Sequence, residues 1–341
     1  MSALSLDKGV HVIACLSDGS SIRATQRITG VEKKTIGKLL LAVGEGCARV
    51  HDRIMRDLDV ISIQLDEQHS YVHTRQVTYL RRIRRAQQNN ESMPAPAPVD
   101  RGEQWTFIAF AVAPRAIISY LVGKRTADNA QKFIRDLKRR LKVQPRIDAD
   151  APSVVPTIAS DGFDGYPEAV SLAFGKDVQF GQLVKQYEMR KIKNKKGVIV
   201  GEHRANYKGA VKVALTSDID ERDINTSYVE RSNLTARMSM RRFVRRTNSF
   251  SKSLRHHVAA VSMHVAYYNL ARVHETLRTT PAMALGVTDH VWELDELVAT
   301  ALQEPEPPPL LDEADLDTGA APISAHEAGR RKPGPGRGSL I

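Results

Sequence analysis

Three carboxylates far apart in the chain have the type and setting for phosphoryl-transfer chemistry. They are Asp66 at the end of the run VISIQLD, Asp161 in IASDGFDGY, and Glu230 in TSYVERSNLTARMSMRRF. Hard divalent cations prefer oxygen ligands, and a metal pair needs carboxylates on more than one side, which no single helix supplies. Acids from three segments that converge in the fold would meet that need. Each acid also has an ordinary structural use. Ser227 and Glu230 stand at S-x-x-E spacing, the pattern of a helix capping box. SDGFDGYP is rich in turn formers, so Asp164 competes with Asp161 for the ligand role, and Glu67 competes with Asp66.

Other polar residues gather near these acids. Asn233, Arg237 and Arg241 follow Glu230 at three, seven and eleven positions, which predicts one shared helical face. Guanidinium groups beside an acidic ligand suit a metal held against a phosphate, and the three are expected to contact DNA. Arg255, His257, His264, Tyr267 and Tyr268 supply the residue types of a tyrosine recombinase. They crowd into one amphipathic helix, however, so most of them cannot surround one phosphate. They read as packing or DNA-contacting residues.

The elements that must position the acids follow from periodicity. Val60, Ile61, Ile63 and Leu65 predict a short strand ending at Asp66, and SVVPTIAS predicts a second ending at Asp161, with Pro156 favouring an edge position or an irregular entry. Parallel neighbours would bring the two aspartates together beyond the strand ends. WTFIAFAV and AIISYLV, on either side of Ala113, Pro114 and Arg115, predict a hairpin. Residues 127–141 place Ala130, Phe133, Ile134, Leu137 and Leu141 on one face of a helix that covers the sheet. The polar and basic stretch between strand one and the hairpin reads as an exposed excursion. Residues 186–205 are strongly basic and predict either a phosphate-contacting hairpin or a solvated loop. Helices are expected from about Ser227 to Arg246 and from about Ser251 to Val273, the second with Leu254, Val258, Val261, Val265 and Tyr268 on its apolar face.

Ahead of this region, residues 7–44 read as short helices broken at Gly30. Residues 32–43 carry Lys33, Lys34 and Lys38 opposite an apolar face, which predicts a helix-turn-helix with a recognition helix for the major groove. A small helical dimerisation module is the alternative. The 341 residues carry a net charge of +11, and residues 303–341 hold seven acids against four bases, leaving the rest at +14. That balance favours a polyanionic partner, most simply nucleic acid. Cys15 and Cys47 are too few for a Cys₄ zinc site or a disulfide framework. Without an apolar run near the ~20 residues a membrane span needs, the chain is expected to be soluble and intracellular.

The segments WTFIAF, ISYLVGKR, SDGFDGYPEAV, YVERSNLT and YNLARVHETLRTTPAMA resemble the insertion sequence 1 family of DDE transposases over residues 8 to 300. The resemblance implies an α/β fold: a ribonuclease-H-like catalytic domain, a mixed sheet flanked by helices, over residues 58–300. An all-α helix-turn-helix domain would precede it over residues 1–50, and a disordered Pro/Gly/acid-rich tail would follow over 303–341. It also implies Asp66, Asp161 and Glu230 as ligands of two Mg²⁺ ions, with Mn²⁺ able to substitute. Asn269, Arg272 and His274 match the family's YNxxRxH cluster and would bind DNA ends or support Glu230. The expected partners are double-stranded DNA, as terminal inverted repeats and target, and further copies of the chain in a dimer or larger assembly. The expected setting is the bacterial cytoplasm, at the nucleoid. Many relatives carry a cysteine zinc ribbon that this chain lacks, which leaves end recognition to the helix-turn-helix and the basic catalytic face. A transposase-derived DNA-binding protein without activity, and a nuclease that cuts without joining, are the competing expectations.

Overall fold

Strand β1, Ser62–Val72, alternates apolar and polar residues yet is covered on both sides: Ile63 and Leu65 are buried, and so are Gln64, Gln68 and Ser70. A computed structural model of the chain describes residues 4–92, 99–142, 155–193, 199–216, 218–244, 248–303 and 305. Antiparallel β2, Gly102–Ala111, pairs with β1 on one side and with β3, Ala116–Gly123, on the other. Parallel β4, Thr157–Asp161, lies on the opposite side of β1 and is followed by parallel β5, Gln179–Lys193, and antiparallel β6, Ile199–Ala214. The spatial order β3-β2-β1-β4-β5-β6 makes one mixed sheet, compatible with a ribonuclease-H-like fold.

Three helices precede the sheet: α1 Leu6–Ser17, α2 Ile22–Thr29 and α3 Lys33–Ile54. Ser21 caps α2 by accepting from the Ala24 amide, and Gly30 ends it in the left-handed conformation at φ 70°, which glycine adopts without a Cβ clash. Helix α4, Gln76–Gln88, lies between β1 and β2. α5, Ala127–Arg140, follows the β2–β3 hairpin, and α6, Tyr166–Phe174, follows β4 with Pro167 in its first turn. After β6 come α7, Ser227–Ser239, and α8, Leu254–Ala266, which opens into a π-helical turn over Tyr267–Ala271. Short α9, Pro281–Ala284, and α10, Leu294–Gln303, complete the series. None of the described helices is long and apolar enough to cross a membrane.

One core joins these layers. Phe107 of β2 meets Phe133 of α5 at 5.6 Å between ring centres, and all five apolar positions expected on α5 are buried. Helices α1–α3 have a small apolar cluster of their own, Val12, Val31 and Ile36, yet Ile13, Leu40, Val43 and Cys47 belong to the main core. α3 also crosses α8 and α10 at close range. A Cβ on Gly44 would lie 2.3 Å from the Ala259 carbonyl oxygen, and one on Gly46 would lie 1.8 Å from that of Ala301.

Several expectations change. β1 does not end at Asp66 but continues to Val72, because the polar residues beyond it are buried against helices rather than solvated. β4 is central rather than at an edge; Pro156 sits just before it, so no ladder bond is lost within the strand. The excursion after β1 contains α4, which exposes all but Ala86 well enough to remain outside the core; residues 93–98 of it lie outside the described residues. Residues 186–193 and 199–205 fall in the paired strands β5 and β6; residues 194–198 between them are likewise outside the described residues, as is the stretch from 306 to 341. α7 stops at Ser239 and α8 at Ala266, both earlier than the apolar spacing suggested. Val258 is exposed, while every residue from Ala259 to Ala266 is buried, so α8 runs through the core instead of presenting one face to it.

The three glycines of α3, Gly37, Gly44 and Gly46, offer an internal test. The Gly37 site is open, with its nearest neighbour, His256 Nε2, at ordinary contact distance of 3.7 Å. Gly37→Ala is expected to stabilise the chain by about 0.5–1 kcal/mol through helix propensity. Gly46→Ala should lose about 2 kcal/mol despite the same gain, because α10 backbone has to move. Urea denaturation of both variants measures this; equal effects would contradict the close helix crossing.

Candidate active site

Sheet register brings the two aspartates side by side. Leu65 pairs with Ser160 across the parallel β1–β4 ladder, so Asp66 and Asp161 occupy the next positions on neighbouring strands. Asp66 accepts from the Glu67 amide at 2.9 Å and from Asn233 Nδ2 at 2.7 Å, while Asp161 accepts from the Phe163 amide at 3.1 Å. Glu67, the next residue of β1, turns to the α5–α6 side, where Arg125 Nε donates to it at 2.9 Å. One oxygen each from Asp66, Glu67 and Asp161 lies within 4.8 Å of the others, so these three can hold a metal ion. Asp164, the competitor of Asp161, is exposed and lies outside the group.

Burial and mutual repulsion govern these acids. Asp66 is pushed up to about 6 by burial first, then by the charge of Asp161, with Glu230 adding to it. Glu67 is pushed up to about 7 by burial and Asp161, against the pull of Arg125. Asp161 is raised by burial, with Arg125 opposing. Arg125 serves two of the acids, since its Nη2 also stands 3.6 Å from Asp161 Oδ2. Its side chain lies over Phe163 at 4.1 Å and near Trp105 at 5.2 Å, which fixes its plane. Oxygen ligands, burial and raised pKa values together fit a divalent cation, whose charge would relieve the repulsion that raises them.

α7 is seated on β1 by the strand's polar row. Gln64 Oε1 accepts from the Tyr228 and Val229 amides at 2.9 and 3.0 Å, capping the helix from another element, and Gln68 Nε2 donates to the Asn233 carbonyl at 3.1 Å. Ser227 and Glu230 do not form the expected capping box; Thr226 is the N-cap, and its hydroxyl donates to Glu230 Oε1 at 3.1 Å. Glu230 thus faces the same side as Asp66 but stays outside the trio, half-exposed and paired with Lys185 of β5 at 2.5 Å. Burial pulls Lys185 down, but the hydrogen bond and charge of Glu230 outweigh it and keep the ammonium above its ordinary value.

The remaining expected residues scatter. Asn233, expected to touch DNA, is buried and committed to Asp66. Arg237 is half-buried on α7. Arg241 lies past the end of the helix, off the Glu230 face, and donates to the Gly19 carbonyl at 3.1 Å. Lys33, Lys34 and Lys38 are exposed on α3. Asn269 does not support Glu230: fully buried in the π turn, it pairs with both backbone groups of Ile117 at 3.0 and 2.7 Å and so closes the open edge of β3. Arg272 and His274 follow that turn and line a cleft next to α7. The recombinase-like residues do not converge either. His257 is buried between Ser70 and Ser251 and, like buried His264, is held neutral, while Arg255 pairs with Glu45.

Sequence reasoning missed Gln64, Arg125 and Lys185. The one available signal was the alternation of Gln64, Asp66, Gln68 and Ser70 through an apolar strand, a polar row that needs partners if buried.

The raised carboxylates make a pH prediction. Folding favours the protonated form of Asp66, so the stability this group adds is complete below its ordinary value of 3.8 and is lost as pH rises through about 6. Glu67 acts in the same direction through about 7. In chelator, the chain should therefore lose stability between about pH 4 and 7, by roughly 3 kcal/mol for Asp66 alone. Asp66→Asn should flatten this slope and stabilise the metal-free chain at pH 8, because the new amide can donate to the unpartnered Oδ1 of Asn233. Denaturation curves across that pH range test this, and an unchanged slope in the variant would refute it. The chain matches no protein-family model, and no curated protein matches it.

Proposed function

We propose that the chain is a DDE transposase of the insertion sequence 1 type, which binds the terminal inverted repeats of its element and cuts and joins DNA. The observation that carries this reading is the pair Asp66 and Asp161, half-buried side by side on adjacent parallel strands of a mixed sheet. Glu230 approaches from a helix seated on the same strand. Two Mg²⁺ ions, or Mn²⁺ in their place, would supply Lewis acidity to a phosphodiester and make a water or a DNA 3′-hydroxyl a better nucleophile.

The residues divide that work by position. Asp66, held by Asn233 and the Glu67 amide, would be a metal ligand together with Asp161. Glu230 would be a further ligand from α7, in exchange for its pair with Lys185. Lys185 would then be a cation available to a phosphate. Arg125 pairs with Glu67 and Asp161 and limits their repulsion. Lys33, Lys34 and Lys38 on α3 serve as the groove-reading face of a helix-turn-helix formed by α2 and α3. Two DNA ends require two active sites, which favours a dimer or larger assembly.

Strand transfer of a labelled terminal-repeat duplex into plasmid DNA with Mg²⁺ tests the reading. We expect joining by the intact chain and loss of at least about a thousandfold in Asp66→Asn, Asp161→Asn and Glu230→Gln, since each acid stabilises charge at the reacting phosphate. DNA binding without cutting or joining would instead mark a DNA-binding protein, and cutting without joining a nuclease. Because ligands must be deprotonated, metal affinity should rise with pH up to about 7 and release protons, measurable by calorimetry in buffers of different ionisation enthalpy.

A further inference from the structure

On the side of α7 turned away from the carboxylates, a concavity of about 300 Å³ gathers three guanidinium groups, Arg115, Arg231 and Arg272, with His274. Glu275 is the single acid in its lining. Arg115 leaves the β2–β3 turn in a left-handed conformation, φ 55°, and stacks over the Tyr228 ring at 3.9 Å. The Tyr268 hydroxyl donates to the Arg115 carbonyl at 2.9 Å and ties that turn to the π-helical segment. Two nitrogens in the cleft lack partners although they are shielded from solvent: the donor Arg115 Nη1, and His274 Nδ1, which donates in one tautomer and whenever the ring is protonated. A buried donor without an acceptor costs about 1–3 kcal/mol, and like charges held together add to the cost, so an anion that filled the cleft would relieve both. His274 is lowered from its ordinary value by burial and then by Arg115 and Arg272, the same positive field felt from inside.

We propose that this cleft is a phosphate-binding site, built from Arg115, Arg231, Arg272 and His274. Arginines offer forked donors that match phosphate oxygens, which neither a carboxylate-lined nor an apolar cleft could provide. Tyr228, Arg231 and the Thr235 side of α7 face the cleft, whereas Glu230 and Asn233 face the aspartates, so a helix about 10 Å across separates the two sites. The phosphate held here is therefore a different one from the group that meets Asp66 and Asp161. Its source is either a neighbouring position of a bound nucleic-acid strand or free phosphate. The first source rests on the function proposed above; the affinity of the cleft for phosphate does not.

The test uses the full chain in chelator, so that the carboxylates hold no metal, and follows inorganic phosphate by ³¹P line broadening. Phosphate should bind the intact chain and Asp161→Asn alike. Arg231→Gln and Arg272→Gln should each weaken binding at least about tenfold, the loss of one bidentate contact of roughly 1.4 kcal/mol. Both side chains are exposed, so the melting temperature should hold, and Arg272→Lys should recover part of the affinity. Equal binding by the glutamine variants would overturn the proposal. The second arm titrates duplex DNA over a range of salt. A slope of affinity against salt that falls by about one in Arg272→Gln assigns the phosphate to the nucleic acid. An unchanged slope, with phosphate binding still lost, assigns the cleft to free phosphate. Failure of strand transfer with phosphate binding intact would count against the transposase and not against this cleft.

Discussion

The structure depends on a polar row buried along the central strand. Gln64, Asp66, Gln68 and Ser70 share one face of β1, and each finds its partner on a helix that crosses it: the start of α7, Asn233, the Asn233 carbonyl and His257. Leaving such groups unpaired in a low-dielectric interior would cost more than any single apolar contact returns, so the row dictates where α7 and α8 lie. Asp66, one of the acids that can hold a metal ion, is a member of this row. Its place is set by the same bonds that dock the helices.

Charge is the second constraint, and it opposes the first. Asp66, Glu67 and Asp161 within 4.8 Å of one another repel, and burial worsens the repulsion by removing water. Arg125 answers it from the α5 side through Glu67 and Asp161, and Asn233 from the α7 side through Asp66. Glu230, closer to solvent, takes Lys185 as its counter-ion. Stability is thus spent on holding acids together, the pattern expected where a site is kept ready for a cation. The arginine cleft behind α7 shows the same strain with the sign reversed, which makes α7 a partition between an acidic cluster and a basic concavity.

The π-helical turn after α8 joins these parts. Widening the helix over Tyr267–Ala271 turns both Tyr268 and Asn269 toward the β2–β3 hairpin, one to the Arg115 carbonyl and one to Ile117. Asn269 closes the sheet edge, and Tyr268 positions Arg115 at the cleft. A regular helix could not aim two successive residues at one strand.

The sequence by itself determined the types of most elements, since period-2 and period-3.6 patterns report local burial. The β2–β3 hairpin, the buried face of α5 and the Gly30 cap were all legible because neighbours in the chain decide them. Element ends were less so: β1 passed Asp66 and α7 stopped before Arg241, because a polar residue signals solvent unless a distant partner buries it. Only the tertiary structure decided which acids meet. Glu67 joins the aspartates while Glu230 stands beside Lys185, and Arg125, 58 residues from Glu67 in sequence, becomes its partner. Those outcomes rest on the β1–β4 register and on the seating of α7. Both are contacts between segments more than 90 residues apart, and no local pattern of residues encodes them.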